Sequence, residues 1–362
     1  MCLQTSGRWK EDLEREGMSF APAPEYKVWE GPGLKPYQAA VRGAKETMPV
    51  IEDFDPHVVV ADILTVAGGL AAQMAQRPWA TLIPHVLPTT DPGMAPYSVG
   101  ARLPRTRVGA AAWKAFDPVL RRGAETGRRE LNGARARVGL EPLDHTHGGI
   151  SRELALVATF PQLEYPRHER DPSVRVTGPL LWERASEDVE LPPGEGPLVL
   201  VAPSTSQDPD QRMVRAALEG LAREPVRVLA TLNDHPSPVP LRVPANARVV
   251  DWLSYARTMP LCDAVVCHAG HGTVVRALSC GVPVVGCPAA GDMAENAARL
   301  AWSGAGVSLP RRLVTPRGVR LAVRKLLADG GYAEAAGRLR DWAERHDGAG
   351  LAADALEKLA DV

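Results

Sequence analysis

Residues 262–307 read CDAVVCHAGHGTVVRALSCGVPVVGCPAAGDMAENAARLAWSGAGV, and this stretch restricts the fold more than any other part of the chain. Residues 263–267 are a short apolar run of the length of a buried strand. The run stops at His268-Ala-Gly-His-Gly-Thr273, where the backbone has to turn sharply. From Thr273 onward Val274, Ala277, Leu278 and Cys280 share one helical face, and Gly281 followed by Pro283 ends that helix. Residues 282–287 form a second buried strand, Pro288-Ala-Ala-Gly-Asp292 a second tight loop, and another helix follows. Strand, glycine loop, helix and strand in this order make half of a doubly wound α/β sheet. Such sheets bind ligands at the carboxyl ends of their strands, so both loops open on one rim.

The two loops carry different chemistry. Gly270 and Gly272 let the backbone approach a ligand closely, and the amides of Gly272 and Thr273 sit at the positive end of a helix, which suits phosphate. His268, leaving the strand, can donate a hydrogen bond to the same anion. Asp292 offers only acceptor oxygens, which suit hydroxyl groups and repel phosphate. A diphosphate loop beside a polyol loop describes a nucleotide sugar. A dinucleotide-binding oxidoreductase, the competing reading of Gly270-x-Gly272, would need a third glycine where Val275 stands and an acid at the tip of the strand ending at Cys287.

Trp252 lies sixteen residues before His268, and Gly270, Gly272, Thr273 and Asp292 follow in order. This constellation resembles the donor-binding signature of the family 1 glycosyltransferases, the UDP-dependent and macrolide-type enzymes, in their bacterial antibiotic-glycosylating form. The resemblance spans nearly the whole chain and is specific between Trp252 and Asn296. It implies an α/β protein of the GT-B fold, with two Rossmann-like doubly wound parallel-sheet domains facing across a cleft. It also implies inverting transfer of a hexose or deoxyhexose from a UDP- or dTDP-sugar to a small hydrophobic acceptor. Under it Trp252 stacks on the base, the backbone of Leu253 reads the base edge, and Thr205 and Ser206 meet phosphate. Asp62 matches the aspartate that orients the general-base histidine. Read without the resemblance, a Trp after a strand is ordinary core, Thr205 and Ser206 either hold a phosphate or cap the following helix, and Asp62 is a cap or loop anchor. His85 is read as a loop histidine or as acceptor lining. Three positions depart from the family pattern: Arg276 stands where many relatives have a ribose-binding Glu, Ser254-Tyr255 where they have Pro-Gln, and Met293 where many have Gln.

At 362 residues the chain exceeds one ordinary core. We divide it into an N-terminal acceptor domain over residues 1–182, an acidic, Pro-rich linker over 183–197, a nucleotide-sugar domain over 198–345, and a helix over 346–362 that packs back. A formal net charge of −1 gives no electrostatic reason to expect nucleic acid or an anionic membrane. Five cysteines, four of them in or beside predicted core elements, fit buried thiols in a reducing cytoplasm. Cys262 and Cys267 lack a second ligand pair, so no metal is expected. No cofactor is expected either, because His268, Thr205 and the Gly272 and Thr273 amides can carry the leaving charge. The expected partners are the nucleotide sugar and the acceptor; the size also allows a homodimer, and no segment has the length of a membrane span.

The N-terminal part reads less regularly. Residues 10–17 read as an exposed helix with no preceding strand, and matching this start to the family's pattern leads us to expect that the first strand, its glycine loop and the base histidine are absent. That predicts feeble transfer to alcohols, and it keeps open a homologue or auxiliary protein that binds nucleotide sugar without transferring it. Residues 57–61 and 79–83 read as buried strands, and residues 84–104 as a long Pro-rich loop of the kind that lines sites. Residues 107–138 read as helical, with Trp113, Phe116, Val119 and Leu120 as a core stripe.

Overall fold

The computed structural model describes residues 1–24, 36–168, 171–184, 188–204 and 208–361. The elements run β1 (Cys2–Thr5), α1 (Lys10–Arg15), β2 (Ser19–Pro22), α2 (Pro36–Phe54), β3 (Val59–Asp62), α3 (Val66–Met74), β4 (Trp79–Ile83), α4 (Arg107–Lys114), α5 (Asp117–Arg137), β5 (Leu154–Val157) and β6 (Val174–Val176). They continue with β7 (Leu198–Ala202), α6 (Arg212–Leu221), β8 (Arg227–Thr231), β9 (Ala247–Val250), α7 (Tyr255–Thr258), β10 (Ala264–Cys267), α8 (His271–Ser279), β11 (Val284–Gly286), α9 (Met293–Ser303), β12 (Gly306–Ser308), α10 (Pro316–Ala328), α11 (Gly330–Arg345) and α12 (Gly348–Ala360).

The C-terminal sheet has six strands in the order β12-β11-β10-β7-β8-β9, all parallel. Every residue of the central strand β7 is buried. Leu198, Leu200 and Ala202 join the core under α8, α9 and α11, while Val199 and Val201 join the one under α6 and α10. Helices on both faces explain why this strand reads as an unbroken apolar run rather than an alternation. The order reverses between β7 and β10, and the candidate loops leave the carboxyl ends of β7, β10 and β11, beside that reversal.

The N-terminal half has a four-stranded parallel sheet, β3-β4-β5-β6, and a separate parallel pair, β1-β2. Here three expectations are corrected. Helix α1 does have a preceding strand, since β1 pairs with β2 across it, and Asp12 and Leu13 of α1 are buried. Strand β3 is an edge strand rather than a buried one, leaving Val60 43% exposed. The stripe on α4 and α5 is not core: Phe116 is 53% and Val119 68% exposed, because no element covers that face among the described residues.

Helix α12 returns to the N-terminal half, where Ala352 packs with Ala80, Leu154 and Leu156. The approach is close enough that a Cβ on Gly348 would lie 2.8 Å from the carbonyl oxygen of Pro179. Val86, Phe160 and Leu163 also join the C-terminal core, so the two halves share buried surface. Among the described residues no helix is long and apolar enough to cross a membrane.

Candidate active site

The first loop is built from the end of β10. Ala269 is fully buried in the left-handed region at φ +60°, a conformation that costs a side-chain-bearing residue about 1–3 kcal/mol. Its surroundings hold it there: its carbonyl accepts from Asn296 Nδ2 at 3.0 Å, and its Cβ packs over Gly286. The turn aims the chain into α8, which starts at His271, two residues earlier than the pattern predicts. The first bond of the helix runs from Val274 N–H to Gly270 O at 3.1 Å, so the amides of His271, Gly272 and Thr273 precede it at the positive end. A Cβ placed on Gly270 or Gly272 would meet nothing within 4 Å, which leaves the amides open to an anion.

His268 is 4% exposed, and both of its ring nitrogens are engaged. Nδ1 accepts from Ser204 N–H at 2.8 Å, which leaves the proton on Nε2, and Nε2–H donates to Asp208 Oδ2 at 3.2 Å. Asp208 Oδ2 also accepts from Met213 N–H at 3.0 Å. His268 therefore braces the turn between β7 and α6, and it meets a diphosphate only if its Nε2–H turns from Asp208 to the ligand. Burial pushes its protonation down, while Asp208 opposes that shift. Thr205 and Ser206 lie outside the described residues.

Beyond β9, Trp252 is 39% exposed while Leu253 is buried at 2%. Both departures near this point meet one residue of the linker. Glu183 accepts from Tyr255 N–H and Ala256 N–H at 2.5 and 2.7 Å, and Arg276 Nη2 stands 4.0 Å from it. Arg276 thus faces a carboxylate supplied by residue 183 instead of carrying one.

On the second loop, Asp292 Oδ2 accepts from Asn296 Nδ2 at 3.0 Å, one helical turn on. The N-terminal half reaches this loop directly. Gly100 lies against the first turn of α9, where an added Cβ would be 2.7 Å from Ala294 Cβ. Burial, with Asp292 and Glu295 next in effect, pushes the Tyr97 phenol up. Tyr97 stacks on His85, with ring centroids 5.5 Å apart. From α8, His271 Nε2 lies 3.1 Å from Ala158 O beyond β5, and burial lowers this imidazole to a pKa of about 4, so it is neutral and donates through Nε2–H. Asp62 Oδ1 accepts from Leu64 N–H at 2.8 Å, a loop anchor, and among the described residues no histidine bonds it.

Sequence reasoning missed His271, Asn296, Tyr97, Asp208 and the buried Arg299. Asp292 with Asn296 and Glu295 with Arg299 were visible as i,i+4 pairs. The others are joined only by the fold.

Two parallel-sheet halves that share buried surface, the C-terminal one doubly wound, with an open helix start and an acidic loop on one rim, define a protein of the GT-B glycosyltransferase class. Residues 215–350 match the model of the erythromycin biosynthesis protein CIII-like C-terminal domain. The 4'-demethylrebeccamycin synthase of Lentzea aerocolonigenes is 32% identical over 328 residues, covering 87% of this chain and 76% of that protein. The chain therefore belongs to the natural-product branch of the family 1 glycosyltransferases. The fold agrees. The crystal structure of the glycosyltransferase of kitacinnamycin superposes with a TM-score of 0.77 at 20% identity, over 99% of this chain and 90% of that one. A spinosyn rhamnosyltransferase complexed with thymidine diphosphate superposes at 0.67 and 16% identity, over 98% and 91%.

Proposed function

We propose that this glycosyltransferase moves a hexose or deoxyhexose from a UDP- or dTDP-sugar to a small hydrophobic acceptor, with inversion at the anomeric carbon. One observation carries the donor reading: three amides ahead of the first bond of α8, under two glycines with nothing above them, share a rim with the half-buried Asp292. The spinosyn relative's thymidine diphosphate supports a nucleoside diphosphate as the leaving group. The amides of Gly272 and Thr273, with Thr205 and His268, are proposed to stabilise that charge. Trp252 is proposed to stack on the base with Leu253 at its edge. The acceptor is proposed to lie between this rim and the loop over residues 84–104. Attack from the face opposite the diphosphate gives inversion.

Calorimetric titration with UDP, dTDP and NAD tests the donor class. A uridine or thymidine diphosphate should bind and NAD should not; NAD binding alone would overturn the reading. Asp292→Asn should leave the free diphosphate's affinity within about twofold. It should weaken the sugar-linked form by about 1 kcal/mol or more, the scale of one hydrogen bond lost to a hydroxyl. Equal losses for both ligands would show that this loop does not read the sugar.

A further inference from the structure

We infer that His85 is a catalytic residue of this chain, the group that removes the acceptor's hydroxyl proton. The inference rests on the glycosyl-transfer reading above. His85 leaves the carboxyl end of β4 and is half-buried on the rim that faces the donor loops. Its Nδ1 lies 2.7 Å from the carbonyl oxygen of Val86. A carbonyl oxygen offers only lone pairs, so the proton of the neutral ring sits on Nδ1 and points at Val86. Nε2 then carries the ring's lone pair, and no hydrogen-bond partner for it occurs among the described residues.

The ring is held in place as well as in tautomer. Tyr97 stacks against it with planes 29° apart and places its hydroxyl 3.1 Å from Nδ1. On the donor side, Gly100, three residues past Tyr97, packs against Ala294 in the first turn after the sugar loop. His85 therefore stands where the acceptor rim meets the sugar loop. The neighbouring candidates are placed otherwise: His268 is bonded through both nitrogens, His271 bonds Ala158 O and keeps its other nitrogen, Nδ1, buried, and Asp62 Oδ1 is tied to Leu64 N–H. A half-buried imidazole fixed through Nδ1, with the lone pair on Nε2 unengaged, is the arrangement of a general base.

In the proposed step Nε2 takes the hydroxyl proton as the acceptor oxygen bonds to the anomeric carbon. The bond from that carbon to the diphosphate oxygen breaks, and its electron pair leaves with the nucleoside diphosphate toward the Gly272 and Thr273 amides. The imidazolium then returns its proton to solvent.

His85→Asn keeps an amide N–H on the side of Val86 O and removes Nε2. With a UDP- or dTDP-sugar as donor, kcat for an aliphatic alcohol acceptor should fall about 10²- to 10⁴-fold. KM for the donor should change little. Transfer to 4-nitrophenol, which reaches the site already ionised, should fall less than tenfold. Added imidazole should restore part of the alcohol activity to His85→Ala. His85→Gln, measured with nucleotide binding as the check on folding, gives the same comparison if Asn disturbs the loop. Equal losses for the alcohol and the phenol, or alcohol transfer at the wild-type rate, would overturn the His85 assignment alone. A wild-type chain that transfers to neither acceptor would overturn the transfer reading and this assignment with it.

Discussion

Arg299→Met should lower the unfolding free energy by about 3–5 kcal/mol, the cost of removing one partner from a buried ion cluster. Arg299 is 2% exposed on α9. Its Nε–H donates to Glu295 Oε1 at 2.8 Å, its Nη1–H to Leu163 O at 3.1 Å, and Nη1 stands 3.7 Å from Glu164 Oε2. The guanidinium lies 3.5 Å over the ring of Tyr165, which meets Trp302 edge-on. Glu164 in turn accepts from Leu87 N–H at 2.7 Å, so the cluster ties the helix after the sugar loop to the acceptor rim. Without the guanidinium, the buried carboxylate of Glu295 loses its cation, while Glu164 keeps Arg167 at 3.7 Å. Denaturant melts should show a lower midpoint. Adding Glu295→Gln to Arg299→Met should recover part of the loss, because the stranded charge is gone. A loss below about 1 kcal/mol for the single change would mean that the cluster is screened like a surface pair and does not hold the halves together.

His268→Ala should weaken a nucleoside diphosphate by about 1.5–3 kcal/mol, the range for a hydrogen bond to a charged group, or about 10- to 150-fold in Kd. The free nucleoside should lose almost nothing. The comparison matters because His268 also braces Ser204 and Asp208. A residue that only braced the turn would cost both ligands alike, by disordering the wall they share. A residue that turns Nε2–H from Asp208 to phosphate costs the diphosphate alone. Asp208→Asn then separates the two contributions further. It removes a negative charge beside the anion site and keeps an oxygen acceptor for Nε2–H, so diphosphate affinity should rise rather than fall.

Much of the C-terminal half was legible because its strands are buried on both faces. Such strands must be apolar throughout, and β7, β10 and β11 each run within three residues into a glycine or proline that makes continuation costly. The runs at 198–202 and 263–267 therefore marked β7 and β10, and Gly270, Gly272 and Asp292 marked the loops at their rim. Relatives bear out the family that these residues resemble. Local pattern says which face of an element is apolar, but not whether another element covers that face. The stripe through Phe116 and Val119 has a core's periodicity and yet meets water, while α1 looked unsupported until β1 and β2 paired around it.

The side-chain partnerships lay further out of reach. His268 meets Asp208 across 60 residues, His271 meets Ala158 across 113, and Arg299 meets Leu163 across 136. By itself, then, the sequence determined the parallel sheets, the rim on which the loops open and the chemical type of each loop, because backbone geometry and residue chemistry act locally. The tertiary structure alone decided which nitrogen of His268 is engaged, which tautomer His85 holds, and that a buried arginine joins the halves. Those outcomes depend on distances between segments that only the packed chain brings together.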